Sequence, residues 1–353
     1  MFLLDSHCDT PSQILRLRDL TIDNEYAHVD FPKLIKGGVD GAFFALYVPA
    51  SKSDDEAYLY SRKLLGAVRA TVAANSDKAA FAVSREQAYA NKQSGRFSVF
   101  LGLENGSPIG HSIDRLHEFY SEGVRYITLC HSRDNQICDS CASSTGRWGG
   151  LSPFGKDLVR NMNDLGMLVD VSHISDNAFY DVLECSSAPV VATHSCCRAL
   201  AAHPRNMTDD MIRELAAKGG VMQINFYPVF LDSGFAEVLS GSGIMEYGEK
   251  IEEEFIKDPS NPQKRSAWNK VQDQLQNLAR PSFRRIADHI DHAVEIAGIE
   301  HGGLGSDFDG IEVTTKKILR FKRTEMSTLL LHYAKNKLRI PCSPPKSLNQ
   351  APS

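Results

Sequence analysis

The sequence predicts an α/β chain closed into a (β/α)8 barrel of the TIM type, and three observations predict it. Eight short, β-rich apolar runs recur along the chain, amphipathic segments separate most of them, and polar chemistry gathers just past the ends of seven. Strands that alternate with helices pair in parallel through right-handed crossovers. A doubly wound open sheet is the rival arrangement, and eight runs favour closure. With 353 residues, 42% of them apolar, the chain has material for one large core.

The runs fall at 2–6, 39–48, 97–103, 124–130, 167–172, 190–193, 221–225 and 303–306. Between them, 54–75 opens on acidic residues and carries Leu59, Leu64, Leu65 and Val68 at helical spacing. Segments 153–165 and 175–185 begin on Pro153 and Ser175, as helices do, and Gly166 closes the first. Thr208 is the predicted cap of a helix over 208–218, with Gly219 and Gly220 as its stop. A longer helix is predicted over 281–297, ending at Gly298. Residues 232–280 break the rhythm: they are polar, weakly periodic and rich in Glu, Lys, Gln and Asn. They read as a helical insertion after the seventh strand, serving as a lid or an oligomer contact. Residues 1–310 form the barrel domain in this reading. Residues 311–353 form an atypical tail whose Pro341-Cys342-Ser343-Pro344-Pro345 stretch reads as disordered.

Composition excludes several classes. With 39 basic against 44 acidic side chains the net charge is −5. The pI of about 6.2 is far from that of a basic nucleic-acid binder. No run of eighteen apolar residues exists to span a bilayer, and the first residues lack the pattern of a secretory signal. The eight cysteines are irregularly spaced, and Cys138-x-x-Cys141 lacks a second pair to complete a zinc site. They are expected to be reduced, in a cytoplasmic protein. No Gly-x-Gly-x-x-Gly, Walker or Gly-x-Ser-x-Gly pattern is present, so Ser195 beside His194 is not read as a nucleophile.

The chemistry is read from position. His7 and Asp9 follow the first run, Glu104 the third, His131 the fourth, His173 the fifth, His194 the sixth, Tyr227 the seventh and Asp307 the eighth. One histidine after a strand is ordinary, whereas in a barrel all of these ends converge on the C-terminal mouth. His, Asp and Glu without a ligating cysteine suit zinc or another borderline metal at an open catalytic site. Strand alternation lets His7 and Asp9 reach one ion and turns Cys8 away. Glu104 has two oxygens to bridge two ions, and His173 and His194 would complete the second. Two cations about 3.5–4 Å apart can share a hydroxide active at neutral pH. Asp307 is placed to take its proton and return it to the leaving group. His289 and His292 are read as ordinary helix residues, and a single loop arginine such as Arg205 as a solvated surface charge.

These residues also carry a resemblance. Asp5-Ser6-His7-Cys8-Asp9-Thr10-Pro11, Leu101-Gly102-Leu103-Glu104, Tyr126-Ile127-Thr128-Leu129-Cys130-His131-Ser132, Asp170-Val171-Ser172-His173, Thr193-His194-Ser195, Arg205-Asn206 and Gly305-Ser306-Asp307-Phe308-Asp309-Gly310 resemble motifs of the membrane (renal) dipeptidases, peptidase family M19 of the amidohydrolase superfamily. The similarity runs from Phe2 to about Gly310. It implies two Zn2+ per chain, one on His7 and Asp9, one on His173 and His194, with Glu104 on both. It makes Asp307 the proton shuttle, His131 the group that steadies the oxyanion and Arg205 the anchor of the substrate carboxylate. Tyr227 and Asn135 become further candidates for the substrate pocket. The implied reaction is hydrolysis of dipeptides, with tolerance for D-residues at the C-terminal position, by a homodimer. The tail departs from the family, with Asn336-Lys337-Leu338-Arg339-Ile340 only faintly similar to its closing segment. Two alternatives stand beside this reading: another metal hydrolase on the same barrel, of lactonase, phosphotriesterase or deaminase type, and a metal-binding scaffold impaired by its altered C-terminus.

Overall fold

The computed structural model describes residues 2–316, and the expectations for the tail beyond them lie outside the described residues. Nine strands form one sheet: β1 (Leu4–Cys8), β2 (Gly41–Tyr47), β3 (Ala79–Phe81), β4 (Phe97–Glu104), β5 (Val124–Thr128), β6 (Leu168–Asp170), β7 (Val191–Ser195), β8 (Val221–Ile224) and β9 (Gly302–Leu304). Eight of them follow one another around the barrel in the order β1-β2-β4-β5-β6-β7-β8-β9, every pair parallel. The seam closes just above β9. There the Asp307 N–H donates to the His7 carbonyl at 3.0 Å and the Asp9 N–H to the Phe308 carbonyl at 2.8 Å. A nearly closed (β/α)8 barrel results, as the eight runs predict.

The ninth strand is a correction. β3 has three residues and pairs only with the lower part of β4, Ala79 against Phe97 and Phe81 against Val99, below the point where β5 joins. Too short to show a period, it leaves no signal in the sequence. The first strand also lies two residues later than predicted, so that His7 sits within it and Asp9 just past it. Cys8 points the other way, its Sγ 3.4 Å from the Phe43 carbonyl within the core.

Local rules explain most helices. Ser53 and Glu56 close a capping box at the head of Asp54–Ala74. Ser152, Ser175 and Thr208 each accept a backbone N–H at the start of Pro153–Leu165, Asp176–Cys185 and Asp209–Ala217. Gly166 ends the first of these in the left-handed conformation. Short helices at Thr10–Leu15, Phe31–Gly37, Arg85–Gln93 and Ile113–Ser121 were not predicted, because six to nine residues give barely two turns of pattern.

Residues after β8 are helical, in Pro228–Leu231, Ser233–Gly241, Ile244–Lys257 and Pro262–Gln276. Phe235, Leu239, Ile244, Val271 and Leu275 give them a small core of their own, which includes Val313 from beyond β9. An ion pair of 2.7 Å between Arg16 and Glu252 ties this insertion to the turn that follows β1. Among the described residues no helix is long and apolar enough to cross a membrane.

Close approach at the seam depends on Gly305. A Cβ there would lie 1.8 Å from the Thr193 carbonyl oxygen and 2.7 Å from Ser6 Oγ. Gly305→Ala is therefore expected to cost about 2–4 kcal/mol in denaturant unfolding, since backbone must move to admit the methyl. Unchanged unfolding would show that the seam is looser than this contact implies.

Candidate active site

Glu104 ends β4 and carries the geometry of the barrel mouth. Its Oε2 lies 3.3 Å from His7 Nε2, and its Oε1 lies 3.2 Å from His173 Nε2 and 3.4 Å from His194 Nε2. His7 Nε2 also faces Asp9 Oδ2 at 3.5 Å and Asp307 Oδ1 at 4.0 Å. The two Nε2 atoms of His173 and His194 stand 2.9 Å apart. One carboxylate thus turns each of its oxygens towards a different group of ligands. His131 joins at a longer 3.8 Å from Glu104 Oε1, its ring against those of Tyr47 and His173.

The residues fit a divalent metal. Three overlapping sets, His7–Glu104–His194, Glu104–His131–His173 and His7–Asp9–Asp307, each bring ligand atoms within 4.8 Å of one another. His7 Nε2 and Asp9 Oδ1 are buried without a hydrogen-bond partner. Buried polar atoms are almost always satisfied, so a bare nitrogen and a bare carboxylate oxygen side by side mark a place for a cation. Burial, then the Glu104 charge, pushes Asp9 up to about 7, and burial, then Asp9, pushes Asp307 up to about 7. Carboxylates so crowded need a positive charge to stay ionised. Burial holds His173 and His194 well below the usual histidine range, in the neutral form that ligates metal. For His7 burial acts the same way, but the Glu104 and Asp9 carboxylates outweigh it and hold it well above that range. Gly310 leaves room for this crowding, because a Cβ there would lie 2.1 Å from Asp9 Oδ2.

A second layer orients the first. The buried Asp170 accepts hydrogen bonds from Thr128 Oγ1 at 2.6 Å, Thr193 Oγ1 at 2.7 Å and the Thr193 N–H at 2.9 Å. Thr193 Oγ1 in turn meets His194 Nδ1 at 2.8 Å. Tyr126 Oη lies 2.8 Å from His7 Nδ1, and Gly102 makes room for its ring. Such partners aim a ligating imidazole and fix its tautomer. Asn225 Nδ2 donates to Asp307 Oδ2 at 2.8 Å, leaving Oδ1 towards the cluster. None of Asp170, Tyr126 and Asn225 is assigned a role from sequence. Asp170 and Asn225 carry the signal of the histidines, a polar atom at the end of a buried strand, whereas Tyr126 sits mid-strand in β5.

A cavity of about 490 Å3 opens over the cluster, lined among others by His131, Arg205, Tyr227 and Asp307 and, from the insertion, by Glu252 and Trp268. Arg205 corrects the surface reading of a lone loop arginine. Its side chain is buried, with Nη1 donating to Ser195 Oγ at 2.8 Å and Nη2 to the His194 carbonyl at 2.7 Å, while Nε has no partner. Asn135 is the candidate the structure does not bring to this cavity. Its amide is already engaged, Nδ2 donating to the Leu129 carbonyl at 2.8 Å and to Asn105 Oδ1 at 3.2 Å, and Oδ1 accepting the Ile137 N–H at 2.8 Å. No cysteine belongs to a metal-holding group among the described residues. His289 and His292 are structural as predicted, bonded to the Cys197 N–H and Leu231 carbonyl and to Asp209.

Comparison with known proteins places this geometry. A family model described as membrane dipeptidase, peptidase family M19, matches residues 1–326. An uncharacterized dipeptidase of Schizosaccharomyces pombe is 30% identical over 332 residues, covering 88% of this chain and 69% of that protein. Dipeptidase verJ of Clonostachys rogersoniana is 31% identical over 328 residues, covering 88% and 73%. Among solved structures, the metallopeptidase from Rhodobacter sphaeroides liganded with a phosphinate mimic of the dipeptide L-Ala-D-Ala superposes with a TM-score of 0.75. It is 22% identical, over 97% of this chain and 94% of that one. The probable dipeptidase PvdM from Pseudomonas aeruginosa gives a TM-score of 0.74 at 23% identity, over 94% and 90%. These two share the fold. The chain belongs to the membrane dipeptidase family, peptidase family M19, and is a metallo-dipeptidase.

Proposed function

We propose that the protein is a binuclear zinc dipeptidase that accepts a D-residue at the C-terminal position. The observation that carries this is Glu104, whose two oxygens face two separate histidine groups at 3.2–3.4 Å, beneath a cavity that also holds the buried Arg205 guanidinium. His7 and Asp9 would hold one ion, His173 and His194 the other, and Glu104 both; nitrogen and oxygen donors with open positions suit zinc. Ions held there would supply Lewis-acid polarisation of the scissile carbonyl and acidify water at neutral pH.

This chain's own residues do the rest. Arg205 offers its unpartnered Nε–H and the outward Nη–H groups to the terminal carboxylate, in a fork lysine cannot reproduce. A neutral ester or lactone gains nothing from that anchor, which favours dipeptides. As water adds to the carbonyl carbon, Asp307 Oδ1 takes its proton while Asn225 keeps Oδ2 in place. His131 is held down at about 3 by burial and then by Arg205, so it stays neutral and can donate one N–H to the developing oxyanion. The proton then passes from Asp307 to the leaving nitrogen as the C–N bond breaks. Tyr227 lines the substrate space, whose volume of about 490 Å3 suits short peptides. The D-residue reading draws on the resemblance and on the mimic bound by the Rhodobacter enzyme. A homodimer in the cytoplasm completes the proposal; the seven cysteines among the described residues, all free, suit a reducing compartment.

Metal analysis of the purified protein should find about two zinc ions per chain, and a chelator should abolish hydrolysis of an X–D-Ala dipeptide. Full activity after exhaustive metal removal would refute the proposal. Asp307→Asn should lower kcat by about 10²–10⁴ with metal content retained, because the amide cannot take a proton. Arg205→Lys should raise KM for dipeptides by about 10–100-fold and leave any turnover of a simple ester unaffected. Equal losses on both substrates would remove Arg205 from carboxylate binding.

A further inference from the structure

Glu312 lines the cavity just beyond the Asp307 turn, where its carboxylate faces the Tyr227 hydroxyl. Its acidic neighbours are Glu252 and Asp307, and no basic side chain among the described residues pairs with it. Glu252, by contrast, has its counter-charge in Arg16 at 2.7 Å. Carboxylates on an open surface are screened by water, but this one is partly buried in the wall of the cavity that would hold a substrate. Burial first, and then the Glu252 and Asp307 charges, keep Glu312 above the usual carboxylate range, a state that an incoming cation relieves.

We infer that Glu312 is a specificity-determining residue that selects dipeptides carrying an ammonium or guanidinium on a side chain. The α-ammonium common to all dipeptides is the competing partner, and it is present alike in every peptide compared below. A cation on a side chain can extend to the wall lined by Glu312 and by Glu252 and Trp268 of the insertion. The cavity of about 490 Å3 has that room, since two alanine residues leave it partly empty. Lysine and arginine stems would lie along Tyr227 and Trp268, with the charged head at the carboxylate.

This inference rests on the dipeptidase reading above, and the test separates the two. With zinc-loaded enzyme, kcat/KM is measured for Lys–Ala against norleucine–Ala and for Ala–Lys against Ala–norleucine, pairs that differ in charge alone. Glu312→Gln keeps an acceptor for the Tyr227 hydroxyl while removing the charge. The lysine-to-norleucine ratio should fall about tenfold at one of the two positions, whatever the absolute rates, as for the loss of one charge-assisted contact. Glu312→Lys should reverse the preference there, so that a glutamate side chain is favoured over lysine. Ratios unchanged within about twofold in Glu312→Gln would overturn the inference while leaving the dipeptidase intact. Failure of the wild-type enzyme to hydrolyse any of the four peptides would overturn both readings.

Discussion

The withdrawal of Asp9, Glu104 and Asp307 from water around a single histidine is the constraint on which the rest of the structure depends. Each desolvated carboxylate costs several kcal/mol unless a cation or a set of donors compensates it. Asp170 and Asp5 show the donor solution, with Thr128 and Thr193 satisfying one and Ser306 the other. Asp9 and Glu104 show the cation solution, because their free oxygens meet imidazole nitrogens across gaps of 3.2–3.5 Å, too long for strong hydrogen bonds and suited to a shared ion. A barrel mouth is where this concentration of charge can be built, since eight strand ends deliver side chains from distant parts of the chain to one point.

Delivery alone would not aim them. Among the described residues five other than glycine have positive φ, and those at the mouth include Asn105 at 72°, His173 at 72° and Asp307 at 61°. Left-handed backbone costs about 1 kcal/mol for such residues and persists where surrounding bonds hold it. Each of the three follows a strand end by one to three positions, so the turn redirects the chain as the strand leaves the sheet. His173 thereby stands 3.2 Å from Glu104, and Asp307 4.0 Å from His7. The fixed hydrogen bonds of Asp170, Tyr126 and Asn225 then set the rotation of each ring or carboxylate.

How much of this was legible follows from what a linear pattern can record. Buried strands of Phe, Val and Leu announce themselves, and a polar residue at or just past a strand end is conspicuous against them, which is why His7, Glu104, His194 and Asp307 stand out. Three-residue β3 and the helix Thr10–Leu15 are shorter than the period needed to detect them. Arg205 was misread because its burial depends on Ser195 and the His194 carbonyl, ten residues away in sequence and adjacent only in the fold. Asn135 is tied both to its own loop, through Leu129 and Ile137, and to Asn105 at the end of β4, bonds that a linear pattern does not record. Resemblance supplied Arg205, which the residues read one by one did not.

The mouth divides its work between two kinds of element. Strand ends and their immediate turns hold the reacting groups, each locked by buried hydrogen bonds, and leave little freedom for change without loss of chemistry. The insertion after β8 packs on its own small core and reaches the barrel through contacts at the rim, such as Arg16 with Glu252. Side chains it lends to the cavity can therefore vary without disturbing Glu104 or the histidines. Glu312 lies at the junction, beside Val313, which packs into the insertion's core, and within five residues of Asp307. Its position joins the outer wall to the strand end that carries Asp307, so a side chain recognised at the wall would also set where the scissile bond stands relative to Asp307.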